Sequence, residues 1–540
     1  MSKKQSFLKG ATILGGAGIV IKILGAAFKI PLGRLIGGDG MAYFMAPYPL
    51  YNWLLVIAAA GIPTAIARLV AEREIEGDYE GAFKVVSVII KPLMLLAVMF
   101  FVAIFFGAPY IAKAVGLEGA EHAFRTIAPA LLFVPIMAIY RGFFQGIQKF
   151  EAFAVSQIIE QIFRVAVGLT LAYVLFSKGI EFSAAGATFG AAIGSFAGMM
   201  FIFFLFKYTK KNLFREKLLN QKTPSSESDK EILMKILAVA IPITIGASIM
   251  PTMNSIDLIL VVNRLTEIVG EDSARNLYGI LTGFSVTIVN FPQILTASLQ
   301  ISLVPAVTQL SVRYQKTKSK EDAKHLSDTV VAGIKSSMIV GLPSAIGLFV
   351  MAEPIMLLIY GNRPDEALIG AQILRFLSWD LIFLALYQAT TGILQGMGKQ
   401  MLPAKHLGVG LIFKIILTYV LVGIPGVGII GAAVSTVAAF TVASALNVLA
   451  LSKFKYLEVN IFKIIFKPLL SASVMGLVVW LAYMGLEEVL GHKTSTGLAI
   501  ILGAVVYFVM ILKTKTLNAE EYDLLPGGSK LKKLADKLGG

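Results

Sequence analysis

Hydrophobic residues run along this chain in long blocks separated by short polar segments. Most blocks reach the about 20 residues that a helix needs to cross about 30 Å of hydrocarbon. In the first half they fall at roughly 11–36, 42–67, 85–107, 126–148, 153–176 and 183–206. A polar linker follows at 207–235, with eight Lys/Arg and the loop run Thr223-Pro224-Ser225-Ser226. Second-half blocks fall at roughly 236–262, 278–309, 330–351, 368–396, 402–422 and 427–452, and two more at 463–485 and 495–512. The pattern predicts an all-α integral membrane protein of about 14 transmembrane helices. Lys3, Lys4 and Lys9 before the first block resemble a signal peptide, but the apolar run continues through Leu35 with Lys22 and Lys29 inside it. That is longer than a signal core, and the block reads as a retained first helix.

Composition agrees. Of 540 residues 56% are apolar and 15% charged, against about 25% charged in soluble chains, and mean hydropathy is +0.78. With no cysteine there is no disulfide, thiolate metal site or thiol nucleophile. Histidines 122, 325, 406 and 492 are scattered, so no metal or cofactor site is expected. The net charge of +15 could suggest nucleic acid, but in so apolar a chain the placement of the basic residues decides their meaning, and no nucleic-acid partner is expected. With a cytoplasmic N-terminus, the predicted inner loops and tails hold 34 Lys/Arg and the outer loops 9, out of 48. This asymmetry fits an even number of spans with both ends inside, and hence a multi-pass protein of the cell membrane.

The two halves are similar to each other. Phe144-Gln145-Gly146-Ile147-Gln148-Lys149 recurs as Leu394-Gln395-Gly396-Met397-Gly398-Lys399, Leu171-Ala172-Tyr173-Val174-Leu175 as Leu417-Thr418-Tyr419-Val420-Leu421, and Ala185-Gly186-Ala187 as Ile430-Gly431-Ala432. Six helices repeated in one orientation predict a parallel repeat: a six-helix lobe at 1–206, the cytoplasmic linker 207–235, a second lobe at 236–452, two further helices within 453–515 and a basic cytoplasmic tail at 516–540. Spans 1, 2, 7 and 8 are expected to line a central cavity. In the tail, Ser529 to Leu538 has leucines on one face and lysines around it, which fits either a basic interfacial helix or a solvated tail.

Ionisable residues inside a span cost about 2.5–3.5 kcal/mol each on insertion scales, so each needs a partner or a wet cavity. At 100° per residue Gly15, Gly18, Lys22, Ala26, Lys29 and Gly33 share one stripe of the first span. The two lysines either meet an anionic ligand or reach an interface or carboxylate. Glu160 and Arg164 stand at i,i+4 with Gln157 and Gln161, a spacing for a structural ion pair. Lys414 is their second-half counterpart; it coincides with Arg164 when aligned from the Gln-Gly-x-x-Lys end and lies one turn away when aligned from the Tyr-Val-Leu end. Asn254 and Asp257 sit in the seventh span, and Asn290, Gln293 and Gln300 beside Pro292 and Pro305 in the eighth. Asp257 and Lys414 are expected to pair. Soluble catalytic signatures are missing: Gly392 to Lys399 has the wrong spacing for a phosphate loop, and neither HExxH nor GxSxG occurs. No enzyme is expected.

Ile23-Leu24-Gly25, Lys29-Ile30-Pro31-Leu32-Gly33-Arg34-Leu35-Ile36-Gly37, Ala60-Gly61-Ile62-Pro63 and Pro251-Thr252-Met253-Asn254-Ser255-Ile256-Asp257, with the two Gln-Gly-x-x-Lys ends, resemble the MurJ/SpoVB branch of the MOP exporter superfamily, on its Gram-positive side. The resemblance covers essentially the whole chain. It implies a flippase that moves undecaprenyl-diphosphate-linked lipid II outward by alternating access. It also implies a V-shaped bilobed fold with a basic cavity, and a groove for the lipid tail beside the last two helices. Lys22, Lys29, Arg34, Asn52, Asn290 and Gln293 are the expected headgroup contacts, and Glu160, Arg164, Asn254, Asp257 and Lys414 structural or coupling charges. The expected partners are a lipid-linked saccharide, membrane lipids and the cell-wall synthesis machinery, with the protein itself a monomer. Lys22 matches the first arginine of the pair that Gram-negative members carry in helix 1, Phe28 stands at the second, and their helix 8 arginine falls near Thr287. Where some members bind sodium with carboxylates on helices 7 and 11, this chain keeps Asp257 but offers Lys414, which argues against sodium coupling. Export of another lipid-linked polysaccharide precursor and multidrug or cation antiport are the competing functions.

Overall fold

The computed structural model describes residues 3–59, 61–215, 227–454, 456–457 and 460–516. The basic tail expected beyond 516 and the linker residues 216–226 lie outside them. The described residues are helical throughout and divide into two compact units, 1–283 and 284–540. The boundary follows Gly283, after the seventh span.

In the first unit, α1 (Lys3–Met45), α2 (Pro47–Ala59), α3 (Ile62–Glu76), α4 (Tyr79–Ala114), α5 (Glu121–Ile127), α6 (Ala130–Gly146), α7 (Phe150–Leu175) and α8 (Ile180–Tyr208) are followed by α9 (Asp229–Ala247), α10 (Ile249–Val269) and α11 (Glu271–Gly279). α9 packs on α3, α10 on α2 and α11 on α1, which is why the seventh span joins this unit. α1 breaks at Gly37, whose φ of 66° suits glycine. Beyond the break, Gly38 and Gly279 bring α1 and α11 into backbone contact, and Arg275 pairs with Asp39 at 2.9 Å. The linker end is also fixed: Glu227 accepts from buried Arg73 and from Lys235, both at 2.6 Å, and Ser228 forms a capping box with Glu231 at the start of α9.

The second unit contains α12 (Val286–Thr317), α13 (Lys320–Val350), α14 (Ala352–Tyr360), α15 (Pro364–Leu377), α16 (Asp380–Gly396), α17 (Met401–Val422), α18 (Ile429–Ser452), α19 (Ile461–Leu490) and α20 (His492–Lys513). α19 packs on α13 and on α20.

Among the described residues eleven helices are long and apolar enough to cross a membrane, or thirteen if each of two bent pairs counts as a span. One of the eleven, Gly16–Glu76, is 61 residues long, about three times the length that one crossing needs; the count of eleven to thirteen falls short of the about fourteen that the hydropathy pattern predicts. The bent pairs are spans that hydropathy drew as continuous. α9 and α10 meet at 42°, where Pro251 has no N–H for the Ala247 carbonyl. α15 and α16 meet at 43°, with the Ser378 hydroxyl donating to the Arg375 carbonyl at the break.

The repeated Gln-Gly-x-x-Lys ends are helix terminators. Lys149 N donates to Phe144 O and Lys399 N to Leu394 O, both at 2.8 Å, while Gln148 (φ 57°) and Gly398 (φ 76°) take the left-handed conformation that closes such a cap. Glycines 142 and 146 seat α6 against Pro63, Ala67 and Val70 of α3. Glycines 392 and 396 seat α16 in the same way against Gln300, Val304 and Val307 of α12. The repeat thus extends to the contacts inside each unit.

Candidate functional site

α7 shows lipid-type side chains on one face, with Val155, Ile162 and Phe163 each more than 40% exposed. About 140–180° round the helix from Val155 and Ile162, at 100° per residue, it carries Gln157, Glu160 and Arg164, with Gln161 about 100–120° away. Behind this polar stripe, glycines 186, 190, 194 and 198 recur every four residues along α8, and Cβ atoms at 190 and 194 would stand 2.5 Å from the Arg164 carbonyl and 2.4 Å from that of Glu160. Small residues at this period let two membrane helices close backbone to backbone.

The pair expected at Glu160 and Arg164 is present and has a third member. Arg164 Nη2 donates to Glu160 Oε1 at 2.9 Å, and Arg141 Nη2 of α6 donates to Glu160 Oε2 at 3.0 Å. Arg141 Nε donates to Ser156 Oγ at 3.1 Å, and its guanidinium lies over Phe153. One carboxylate thus holds two arginines. The sequence analysis does not single out Arg141, because no local spacing announces a partner 19 residues away.

α1 borders this stripe. Phe28, 3% exposed, packs against Gly168, and Gly25 faces the Gln161 amide, 3.8 Å from where a Cβ would stand. Lys22 and Lys29 lie about 100–120° round the helix from Phe28, on the side of Gly25. Lys22 is exposed and Lys29 half-buried, and among the described residues neither ammonium makes an ion pair or hydrogen bond. Arg34 is exposed further along α1, and Asn52 is half-buried on α2. On α10, Asn254 is exposed, while Asp257 is half-buried and lies close enough to the Tyr278 hydroxyl to act on it electrostatically. Trp53 of α2 donates to Thr252 of α10 at 3.2 Å. The first unit therefore pairs Arg141 and Arg164 with the one carboxylate of Glu160, and carries Lys22 and Lys29 on α1.

Asn290 and Gln293 belong to the second unit, on α12, exposed and half-buried respectively. Packing there settles the position of Lys414. Gly186 meets Leu171 in the first unit as Gly431 meets Leu421 in the second, and the Gly168–Gly190 contact is replaced by a Thr418–Ser435 hydrogen bond of 2.7 Å. Both pairs align Lys414 with Arg164. Lys414 is 2% exposed, and the charge acting on the equally buried Asp380 is Lys414. Asp380 was not singled out from the sequence, although an acid inside the predicted span 368–396 carried the same signal as Lys414 itself. Nearby positions of the repeat hold a hydrogen-bonded network: His406 Nδ1 and Asn447 Oδ1 lie 2.7 Å apart, and Asn447 Nδ2 donates to Thr390 and Thr391.

Comparison with known proteins agrees with this architecture. The family model described as "Polysaccharide biosynthesis protein" matches residues 7–311, and the MatE model matches residues 282–420. Stage V sporulation protein B of Bacillus subtilis (strain 168) is 26% identical over 97% of this chain and 98% of its own length. The lipid II flippase MurJ of the same organism is 26% identical over 78% of each chain. A solved structure of lipid II flippase MurJ in an inward closed conformation superposes with a TM-score of 0.67 at 18% identity, covering 92% of this chain and 98% of that one. With its multi-pass helical fold and a family match over more than half its length, the chain belongs to the polysaccharide biosynthesis protein family.

Proposed function

We propose that this protein is a flippase that carries lipid II, the undecaprenyl-diphosphate-linked peptidoglycan precursor, from the inner to the outer leaflet of the cell membrane by alternating access. The observation that carries this reading is the surplus of cations in the first unit, where Arg141 and Arg164 share the one carboxylate of Glu160 and Lys22 and Lys29 make no ion pair among the described residues. Uncompensated charge within a span is costly, and the small-residue stripe around the lysines makes room for a ligand. A diphosphate brings about two negative charges, and its attraction to fixed cations strengthens as the surroundings dry. Lysine, a point charge on a flexible stem, suits a cargo that must be released.

In this reading Lys22, Lys29 and Arg34 bind the diphosphate, and Asn52 contacts the sugars or peptide. Arg141, Glu160 and Arg164 form the wall behind them. The protein works as a monomer with both termini cytoplasmic, takes no cofactor and catalyses no bond change. The similarity to a relative named as a lipid II flippase supports the substrate. The MatE match favours a second reading, drug or cation antiport, but a cationic wall repels the organic cations such a carrier takes. Depletion in the native host separates the remaining cargoes. Lipid II should build up on the inner leaflet, whereas accumulation of a different lipid-linked saccharide would replace this reading with export of that precursor.

A further inference from the structure

Lys318, in the turn between α12 and α13, holds a backbone conformation that suits glycine. Its φ is 53°, and its N–H closes α12 by donating to the Tyr314 carbonyl at 2.8 Å. The matching turn of the first unit, between α3 and α4, has Gly77 (φ 77°) at this place, and in both turns the next residue, Asp78 or Ser319, caps the following helix. Left-handed backbone is unfavourable for a residue with a Cβ. For the cap alone glycine serves better, and a strained position that persists points to a function.

The lysine side chain has a defined place. Its Nζ stands 5.3 Å from the centroid of the Tyr314 ring. Tyr314 packs on Tyr456 at 4.5 Å, and Tyr456 on Phe454 at 5.8 Å, both of these lying between α18 and α19. All three rings are half-buried against the core of the second unit. The hydroxyls of Tyr314 and Tyr456 are close enough to act on each other electrostatically, and among the described residues neither makes a hydrogen bond.

The charges around this shelf are uncompensated. Lys316, Lys318 and Lys320 are exposed and make no ion pair among the described residues, since Asp322 faces Arg313 and the Thr317 hydroxyl, and Glu321 faces His325. In the matching turn of the first unit the cations are matched: Arg73 meets Asp78 and Glu227, and Lys84 meets Asp229. Half-buried tyrosines at the end of membrane helices stand at the level of lipid headgroups, where free lysines attract anionic lipid. A lipid fits this shelf better than a soluble anion does, because each tyrosine offers an apolar body and a polar tip.

We propose that Lys318, Tyr314 and Tyr456 form a site for the headgroup of an anionic phospholipid, whose phosphate is held by the ammonium and the phenol hydroxyls. The site lies within the second unit and uses none of the residues assigned to the cargo, so it stands or falls apart from the flippase reading.

The test titrates the purified full chain in detergent with phosphatidylglycerol, or with phosphatidylcholine of the same acyl chains, and follows bound lipid by native mass spectrometry. The parent should take phosphatidylglycerol about fivefold more tightly, the worth of one lysine beside an anionic headgroup. Lys318→Gly should remove this preference and melt no lower than the parent, because glycine relieves the backbone, while Lys318→Arg should keep it. Tyr314→Phe combined with Tyr456→Phe should weaken phosphatidylglycerol and leave phosphatidylcholine unchanged. Lys399→Gln, at an exposed lysine of the α16–α17 turn outside the site, should leave the preference intact. A parent that binds both lipids alike, a Lys318→Gly chain that keeps the preference, or an equal loss in Lys399→Gln would each overturn the site.

Discussion

At matching positions of their repeat, the two units are built on the same contacts and hold opposite chemistry. In the first, Arg141, Ser156, Glu160 and Arg164 make a charged triad with one positive charge to spare. In the second, the corresponding positions are Thr391, His406, Gly410 and Lys414; Lys414 faces Asp380, while Thr391 and His406 join a hydrogen-bonded network through Asn447. The ladder Gly186, Gly190, Gly194, Gly198 becomes Gly431, Ser435, Ala439, Ala443, which keeps the close approach but fills it. Duplication fixed the backbone frame, and the side chains then diverged. One unit sets two arginines against one glutamate, while in the other Lys414 and Asp380 stand one to one.

Removing Glu160 should give the largest effect. Glu160→Gln leaves two buried guanidiniums facing an amide, and arginine cannot shed its charge. A loss of about 3–5 kcal/mol is expected, read as a large fall in melting temperature. The matching change in the second unit, Lys414→Met, should cost less, about 1–3 kcal/mol, because the orphaned Asp380 carboxyl can take up a proton. That cost should grow with pH. Equal, pH-independent losses would erase the contrast.

Packing gives the next pair. Gly190→Ala places a Cβ 2.5 Å from the Arg164 carbonyl and 2.7 Å from the Gly168 Cα, an overpacking worth about 1–3 kcal/mol. Ser435→Ala, at the equivalent place, loses one buried hydrogen bond to Thr418, about 1 kcal/mol. Thermal unfolding of the two variants orders them.

Acid sensitivity is the smallest effect. Outside the spans, the Thr317 hydroxyl bonded to Asp322, helped by Ser319 and by Arg313 at 2.7 Å, holds this carboxyl below the usual carboxylate range. Lys235, then Arg73, does the same for Glu227. A depressed carboxylate contributes stability above its unfolded value of about 4 and loses it as pH falls through the folded one. Amide protection at 319–323 should therefore drop on acidification, and Asp322→Asn should remove the pH dependence. At 227–231, Glu227→Gln should do likewise, which tests whether both units tie down a loop between spans in the same way.

Much of this was legible in the sequence for a physical reason. Hydropathy and length mark spans because lipid demands both, and the i,i+4 pair at Glu160 and Arg164 is a local geometry. The bends at Ser248 and at Ser378–Trp379 were not legible, since an apolar run reads the same straight or bent. Arg141 and the His406–Asn447 contact stayed hidden because their partners come from other helices, and hydropathy is blind to which helix lies alongside.

The central claim is that the lysine stripe of α1 carries the anionic group. Lipid II translocation by the reconstituted full chain, compared for the parent, Lys22→Gln and Lys22→Arg, tests it most directly. Lys22→Gln should abolish translocation at unchanged expression and melting temperature, and Lys22→Arg should keep part of it, because a point charge and a fork hold a diphosphate with different ease of release. Full translocation by both Lys22→Gln and Lys29→Gln would contradict the account.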